Sequence, residues 1–99
     1  MNVAAPDGFE LGVPRPSPTS GFTSIGYAVP KDAPEVVLAV YDVAGRLVRK
    51  LVRGAIPAGR HLATWDGRDE AGRRVGSGVY FYRMDAGTFS QVRRVSVLR

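Results

Sequence analysis

Three carboxylates fall close together at Asp66, Asp69 and Glu70, a spacing that calls for a test as a cation loop. A calcium loop needs oxygen ligands at alternating positions and a glutamate at its twelfth. Here Arg68 intervenes and Arg73 and Arg74 follow directly, and their charge opposes a cation. A solvated turn is the expectation, with no metal ligands. His61 is the only histidine. A general-base or triad site needs a nucleophile and an orienting acid converging on it. The serines at 17, 20, 24, 77, 90 and 96 include none in a Gly-x-Ser-x-Gly strand-to-helix elbow. His61 is therefore expected to be a half-buried strand residue. There is no cysteine, which removes disulfides, thiol catalysis and cysteine-bound metals. No catalytic residue, cofactor or metal is expected, and the chain is not expected to be an enzyme.

Trp65 precedes Asp66-Gly67 at the end of an apolar face. One reading is a sugar-stacking platform, as in a carbohydrate-binding accessory module of a secreted hydrolase. The favoured one is a core indole closing one end of the domain, with Asp66 accepting from amides of its own turn. Tyr80 and Tyr82 flank Phe81. A tyrosine near a strand start can turn its hydroxyl back onto nearby backbone. That is favoured over an aromatic nucleic-acid platform, which pairs with helices on the far side of its sheet.

The net charge is +5, and the excess lies in the second half: residues 1–49 carry four bases and five acids, residues 50–99 ten bases and four acids. A basic half can address nucleic acid. Here the arginines spread over several elements, which fits charged strand edges kept soluble, and no nucleic-acid partner is expected.

These residues need elements to hold them. Ninety-nine residues suffice for one domain with one core. Residues 1–21 read as an extended, proline-rich lead-in, because Pro6, Pro14, Pro16 and Pro18 forbid a helix and permit at most an edge strand. Phe9, Leu11 and Val13 alternate along it. Residues 22–99 form the domain proper. Strands are expected at about Phe22 to Val29, Glu35 to Tyr41, Leu47 to Val52, Arg60 to Trp65, Gly78 to Met84 and Phe89 to Leu98. Asp42 to Arg46 is a hairpin connection with Gly45 at a positive φ. Glu35 to Tyr41 is apolar on both faces, as in a central strand. No internal repeat is visible, and no window shows an apolar period of 3.6 residues. About seven short antiparallel strands without significant helix indicate an all-β sandwich. No apolar run approaches the ~20 residues that span a bilayer.

The run Tyr41 to Leu51 (YDVAGRLVRKL), followed by Ala58 to Met84 (AGRHLATWDGRDEAGRRVGSGVYFYRM), closely resembles the immunoglobulin-like domain of the flagellar hook-capping protein, the FlgD-like Ig fold. The resemblance spans roughly residues 11 to 99. It rests on Tyr41, Asp42, Gly45, Arg46, Trp65, Asp66, Gly67, Gly72, Gly78 and Tyr80. Similar domains end many secreted bacterial proteins, where they resemble C-terminal sorting domains of the type IX secretion pathway. Such domains often open on Pro-Asn-Pro and end in an aliphatic strand studded with bases. This chain has Pro16-Ser17-Pro18, with serine in place of asparagine, and ends Arg93-Arg94-Val95-Ser96-Val97-Leu98-Arg99. The long N-terminal region of a hook-cap protein has no counterpart in it.

The resemblance implies an immunoglobulin/fibronectin-III-like sandwich. It further implies a non-catalytic accessory domain of an exported protein, at the cell surface or outside the cell, used for sorting, anchoring or assembly. The signal peptide is then expected on an upstream part of a longer parent chain. Expected partners are secretion or surface-assembly proteins, or the parent's own upstream domain. A monomer is expected rather than an obligate oligomer. The candidate docking residues are Arg93, Arg94, Val95, Val97, Leu98 and Arg99, where a terminal strand with an unpaired edge can accept a partner strand.

Overall fold

The computed structural model describes residues 6–99; the first five residues of the proline-rich lead-in lie outside them. Seven strands follow one another: β1 Glu10–Arg15, β2 Thr23–Val29, β3 Ala33–Tyr41, β4 Leu47–Ile56, β5 Gly59–Trp65, β6 Gly78–Ala86 and β7 Phe89–Val97. They form two antiparallel sheets, ordered β1-β2-β5 and β4-β3-β6-β7. The described residues contain no helix. The all-β sandwich expected from the period-two pattern is the fold observed.

The core follows from that period. In β2, Ile25, Tyr27 and Val29 point inward; in β3, Val36, Leu38 and Val40; in β6, Tyr82 and Met84; in β7, Val95 and Val97. All of these are buried. Burying each such side chain contributes roughly 1.5–3 kcal/mol. β3 lies between β4 and β6, the central place its two apolar faces require. Across the layers, the Tyr82 hydroxyl donates to the Gly12 carbonyl at 2.7 Å. Burial pushes this phenol well above its ordinary pKa, so it stays a donor throughout the working range of pH.

Besides shifts of one or two residues at other strand ends, two features differ from expectation. β4 continues to Ile56 instead of ending near Val52, because β3 begins early enough for Ala33 to pair with Ile56. Alternation in β1 stops after Leu11, where the register with β2 shifts between Leu11 and Pro14. Leu11 is buried and Val13 stands in solvent. A proline lacks the N–H that would keep the ladder in step.

Candidate functional site

Sequence reasoning singles out two places, the tryptophan turn and the last strand. At the turn, Trp65 is 0% exposed. Its Nε1–H donates to the Arg68 carbonyl at 3.0 Å, and its ring meets Tyr80 edge-on at 5.5 Å between centroids. A fully buried indole offers no face to a sugar, so the stacking platform is excluded at this residue. Asp66 accepts from the Arg68 amide at 3.0 Å. Tyr80 turns its hydroxyl onto the Gly76 carbonyl at 2.9 Å, four residues upstream. His61 bonds the Pro57 carbonyl at 2.8 Å and stacks on Tyr27 at 5.2 Å.

Both carboxylate oxygens of Asp69 are engaged within its own turn. One of its oxygens, Oδ1, accepts the amides of Ala71 and Arg73, both at 2.9 Å. The other faces the Arg73 guanidinium at 3.3 Å. The amide of Arg73 is the main cause that holds this carboxyl below its usual pKa. Asp42 does the same at the β3–β4 connection. It accepts from Ala44 and Arg46 at 2.9 and 3.0 Å and pairs with the Arg46 guanidinium at 2.9 Å. Its pKa is lowered chiefly by the Arg46 amide. Gly45 and Gly72 have φ of +80° and +81°, the left-handed conformation that glycine enters without a Cβ penalty. Among the described residues, no group of three or more His, Asp or Glu side chains is placed to hold a metal.

This twin was missed in the sequence, although Asp-x-Ala-Gly-Arg occurs twice, at 42–46 and 69–73. It is a five-residue turn repeat, far below the length that signals repeated structural units. The two turns share a shallow groove whose walls include Arg46, Arg73, Val75 and Tyr80.

The last strand is more committed to the fold than its exposed-end position suggests. Val95 and Val97 belong to the core. The Arg93 guanidinium donates to the Leu11 carbonyl of β1 at 3.0 Å. That of Arg99 donates to the carbonyls of Val75, Ser20 and Gly67 at 2.7, 3.1 and 2.9 Å. Its backbone amide reaches Ser77. Of the six candidate docking residues, only Arg94 and Leu98 have exposed side chains that make no such bond. Leu98 is 66% exposed.

Half of the outer edge of β7 is also taken. Thr19 donates to the Ser96 carbonyl and accepts from the Leu98 amide, both at 2.9 Å, while the Ser96 amide reaches the Ser17 hydroxyl at 3.2 Å. The Pro16-Ser17-Pro18 segment thus leads into a short strap over that edge; the peptide bonds before both prolines are cis. The unpaired edge open to a partner strand is therefore only part of β7. Ladder alternation that turns Ser96 outward also turns Arg94, Val92 and Ser90 outward, and among the described residues none of their amides has a partner beyond β6. Local sequence could not signal this strap, because it joins residues 79 positions apart.

Comparison with known proteins places this geometry. Residues 17–89 match the family model described as the FlgD Ig-like domain. The basal-body rod modification protein FlgD of Salmonella typhimurium is 38% identical over 58 residues, 59% of this chain and 25% of that protein. Its Salmonella typhi counterpart matches equally. The chain thus covers a quarter of these relatives' length. Among solved structures, dimeric latent PorU from Porphyromonas gingivalis superposes with a TM-score of 0.73 at 21% identity, over 99% of this chain and 10% of that one. PorZ, a surface component of the type-IX secretion system of the same organism, gives 0.58 at 24% identity, over 94% of this chain and 12% of that one. FlgD from P. aeruginosa gives 0.58 at 17% identity, over 97% and 74%. At these identities the structural likenesses establish the fold alone.

Proposed function

Because the chain belongs to the FlgD Ig-like domain family, we propose that it is a non-catalytic accessory domain at the C-terminal end of an exported bacterial protein. In this reading it engages secretion or surface-assembly proteins, or the parent's upstream domain, by protein–protein contact outside the cell or at its surface. One observation carries the reading. The side chains that sequence alone nominates for a cation or general-base site, Asp66, Asp69, Glu70 and His61, and two of the docking arginines, Arg93 and Arg99, each bond carbonyls or amides of the fold itself. The exposed part of the last strand, with Val92, Arg94 and Leu98, is left to meet a partner. That PorZ, whose fold is shared, is a surface component of a type-IX secretion system motivates testing the sorting or anchoring role first. The 38% identity to Salmonella FlgD supports a second reading, an assembly module of the hook-cap type.

Deleting residues 93–99 is a poor test, since it removes Val95 and Val97 from the core. A better one fuses an exported reporter ahead of residues 1–99 and compares a bacterium that has type IX secretion with an isogenic strain lacking it. The expected result is surface or extracellular reporter in the first strain only, reduced by Arg94→Glu with Leu98→Ser at unchanged melting temperature. Equal retention of the reporter in both strains overturns the sorting role. Restored motility when residues 1–99 replace the matching segment of Salmonella FlgD would favour the hook-cap reading instead.

A further inference from the structure

The two outer faces of the sandwich differ. That of the three-stranded sheet is lined along β1 and β2 by Gly12, Ser24, Gly26 and Ala28, with Leu62 standing out beside them at 70% exposure. That of the four-stranded sheet is different in kind. Pairing registers bring Leu47 opposite Tyr41, Tyr41 opposite Phe81 and Phe81 opposite Arg94. One row of side chains therefore crosses all four strands, and with strands ~4.8 Å apart it is about 14 Å wide. These are outward positions, since Val40, Tyr82 and Val95 beside them in sequence are core residues. The neighbouring row sets Lys50, Ala39, Arg83 and Val92 side by side. Leu47 is 45% and Val92 52% exposed, while Ala39 between Lys50 and Arg83 is 1% exposed. Ala39 is thus covered by its neighbours.

Its rim is cationic. Arg53 and Arg83 stand opposite Glu35 and Asp85 at 3.7 and 2.9 Å, and all four side chains are well exposed. Lys50 and Arg94 have no ion pair among the described residues. Four cations therefore face two carboxylates. A third, Glu70, stands at the β4 rim and accepts the Lys50 backbone amide at 2.6 Å. Contiguous aromatic and aliphatic side chains inside a polar rim make an interaction surface, and the charge excess selects its partner. A second copy of the domain would bring the same cations against these. A neutral sugar would leave Lys50 and Arg94 without a counter-charge.

We propose that the outer face of the four-stranded sheet is a docking surface for an acidic protein segment. That segment places aliphatic or aromatic side chains on the Leu47–Tyr41–Phe81 row and carboxylates against Lys50 and Arg94. The inference rests on the accessory-domain reading and names the partner chemistry of its last strand.

A random twelve-residue displayed peptide library, selected on the immobilised domain, tests it. The expected winners combine Asp or Glu with large apolar residues. Binding of the best winner falls about tenfold with Lys50→Glu plus Arg94→Glu, as rim charges of this kind contribute, and is unchanged by Leu62→Ser on the opposite face. Phe81→Ser reports the apolar row, and the double charge reversal keeps the test valid should Phe81→Ser fail to fold. Basic winners, binding lost with Leu62→Ser, or no enrichment each overturn the proposal. So does binding of polygalacturonate that the charge reversals abolish while no peptide is enriched; that outcome would assign the face to an anionic glycan. Failure of the export assay with peptide binding intact would overturn the sorting role alone and leave this surface standing as that of an assembly module.

Discussion

The turns at 42–46 and 69–73 are built from the same residues and the same bonds, yet they have different standing in the molecule. Each has an aspartate that accepts two amides and an arginine, and a glycine at φ near +80°. Each is closed by backbone bonds between Asp and Arg and between Gly and Asp, of 3.0 Å in the first turn and 2.9 Å in the second. The first simply joins β3 to β4, with Val43 at its tip in solvent. The second rides in the loop between β5 and β6 and is docked on the edge of β4. There the Glu70 amide donates to the Val48 carbonyl at 2.9 Å, and Glu70 Oε1 accepts the Lys50 amide at 2.6 Å. Identical local chemistry thus makes a free hairpin tip in one place and an edge cover in the other. An exposed edge strand invites unwanted pairing, and the second turn occupies the first half of β4 against it.

The largest expected effect separates the two turns. Trp65→Ala removes the indole that bonds Arg68 and packs on Tyr80, which anchors the second turn and not the first. A loss of about 3–5 kcal/mol in denaturant-unfolding stability is expected for a buried tryptophan. With it, native-state amide exchange should quicken at Ala71 and Arg73 but not at Ala44 and Arg46. Equal quickening in both turns would mean that docking does not distinguish them.

A smaller effect should unite them. Gly45→Ala and Gly72→Ala each force an alanine into the left-handed region, at a cost of about 1–2 kcal/mol. The two penalties should agree to within about 0.5 kcal/mol, the scale on which distant independent sites behave additively. A markedly larger penalty at Gly72 would show that the docked turn depends on its β4 contacts for its shape.

The smallest effect is electrostatic. Both carboxyls titrate below the ordinary carboxylate value in the folded chain. A group whose folded pKa is depressed contributes stability above its unfolded pKa, near ~3.9 for aspartate, and loses it as pH falls through the folded value. Carbon-13 carboxyl titration should place Asp42 and Asp69 together below that reference. Asp42→Asn with Asp69→Asn should flatten the acid side of the stability curve and leave its neutral side parallel to the parent's. An ordinary pKa at either residue would break the equivalence of the turns.

Much of the fold was readable from residue order. Period-two alternation located the inward residues Ile25, Tyr27 and Val29 of β2 and Val95 and Val97 of β7, and the doubly apolar run from Glu35 to Tyr41 identified the central strand. The extension of β4 to Ile56 was not readable, because it depends on where β3 begins to pair with it. At the candidate site the division is sharper. The Asp66 and Tyr80 bonds reach residues two to four positions away and follow from local spacing, while the row from Leu47 to Arg94 exists only through interstrand register.

By itself, then, the sequence determined what is settled within a few residues: strand faces, a hairpin turn at Asp42 to Arg46, a solvated turn after Asp66, and a tryptophan suited to closing one end. Tertiary structure decided which of the basic residues remain available. Arg93 and Arg94 are adjacent in the chain, yet the first is bound to a carbonyl 82 positions away and the second faces solvent. Arg99 likewise reaches Gly67, 32 positions away. Charge is a property of the residue. Whether a guanidinium is already spent on a carbonyl depends on which distant backbone the fold brings within about 3 Å, and that distance is set only when the two sheets close on each other.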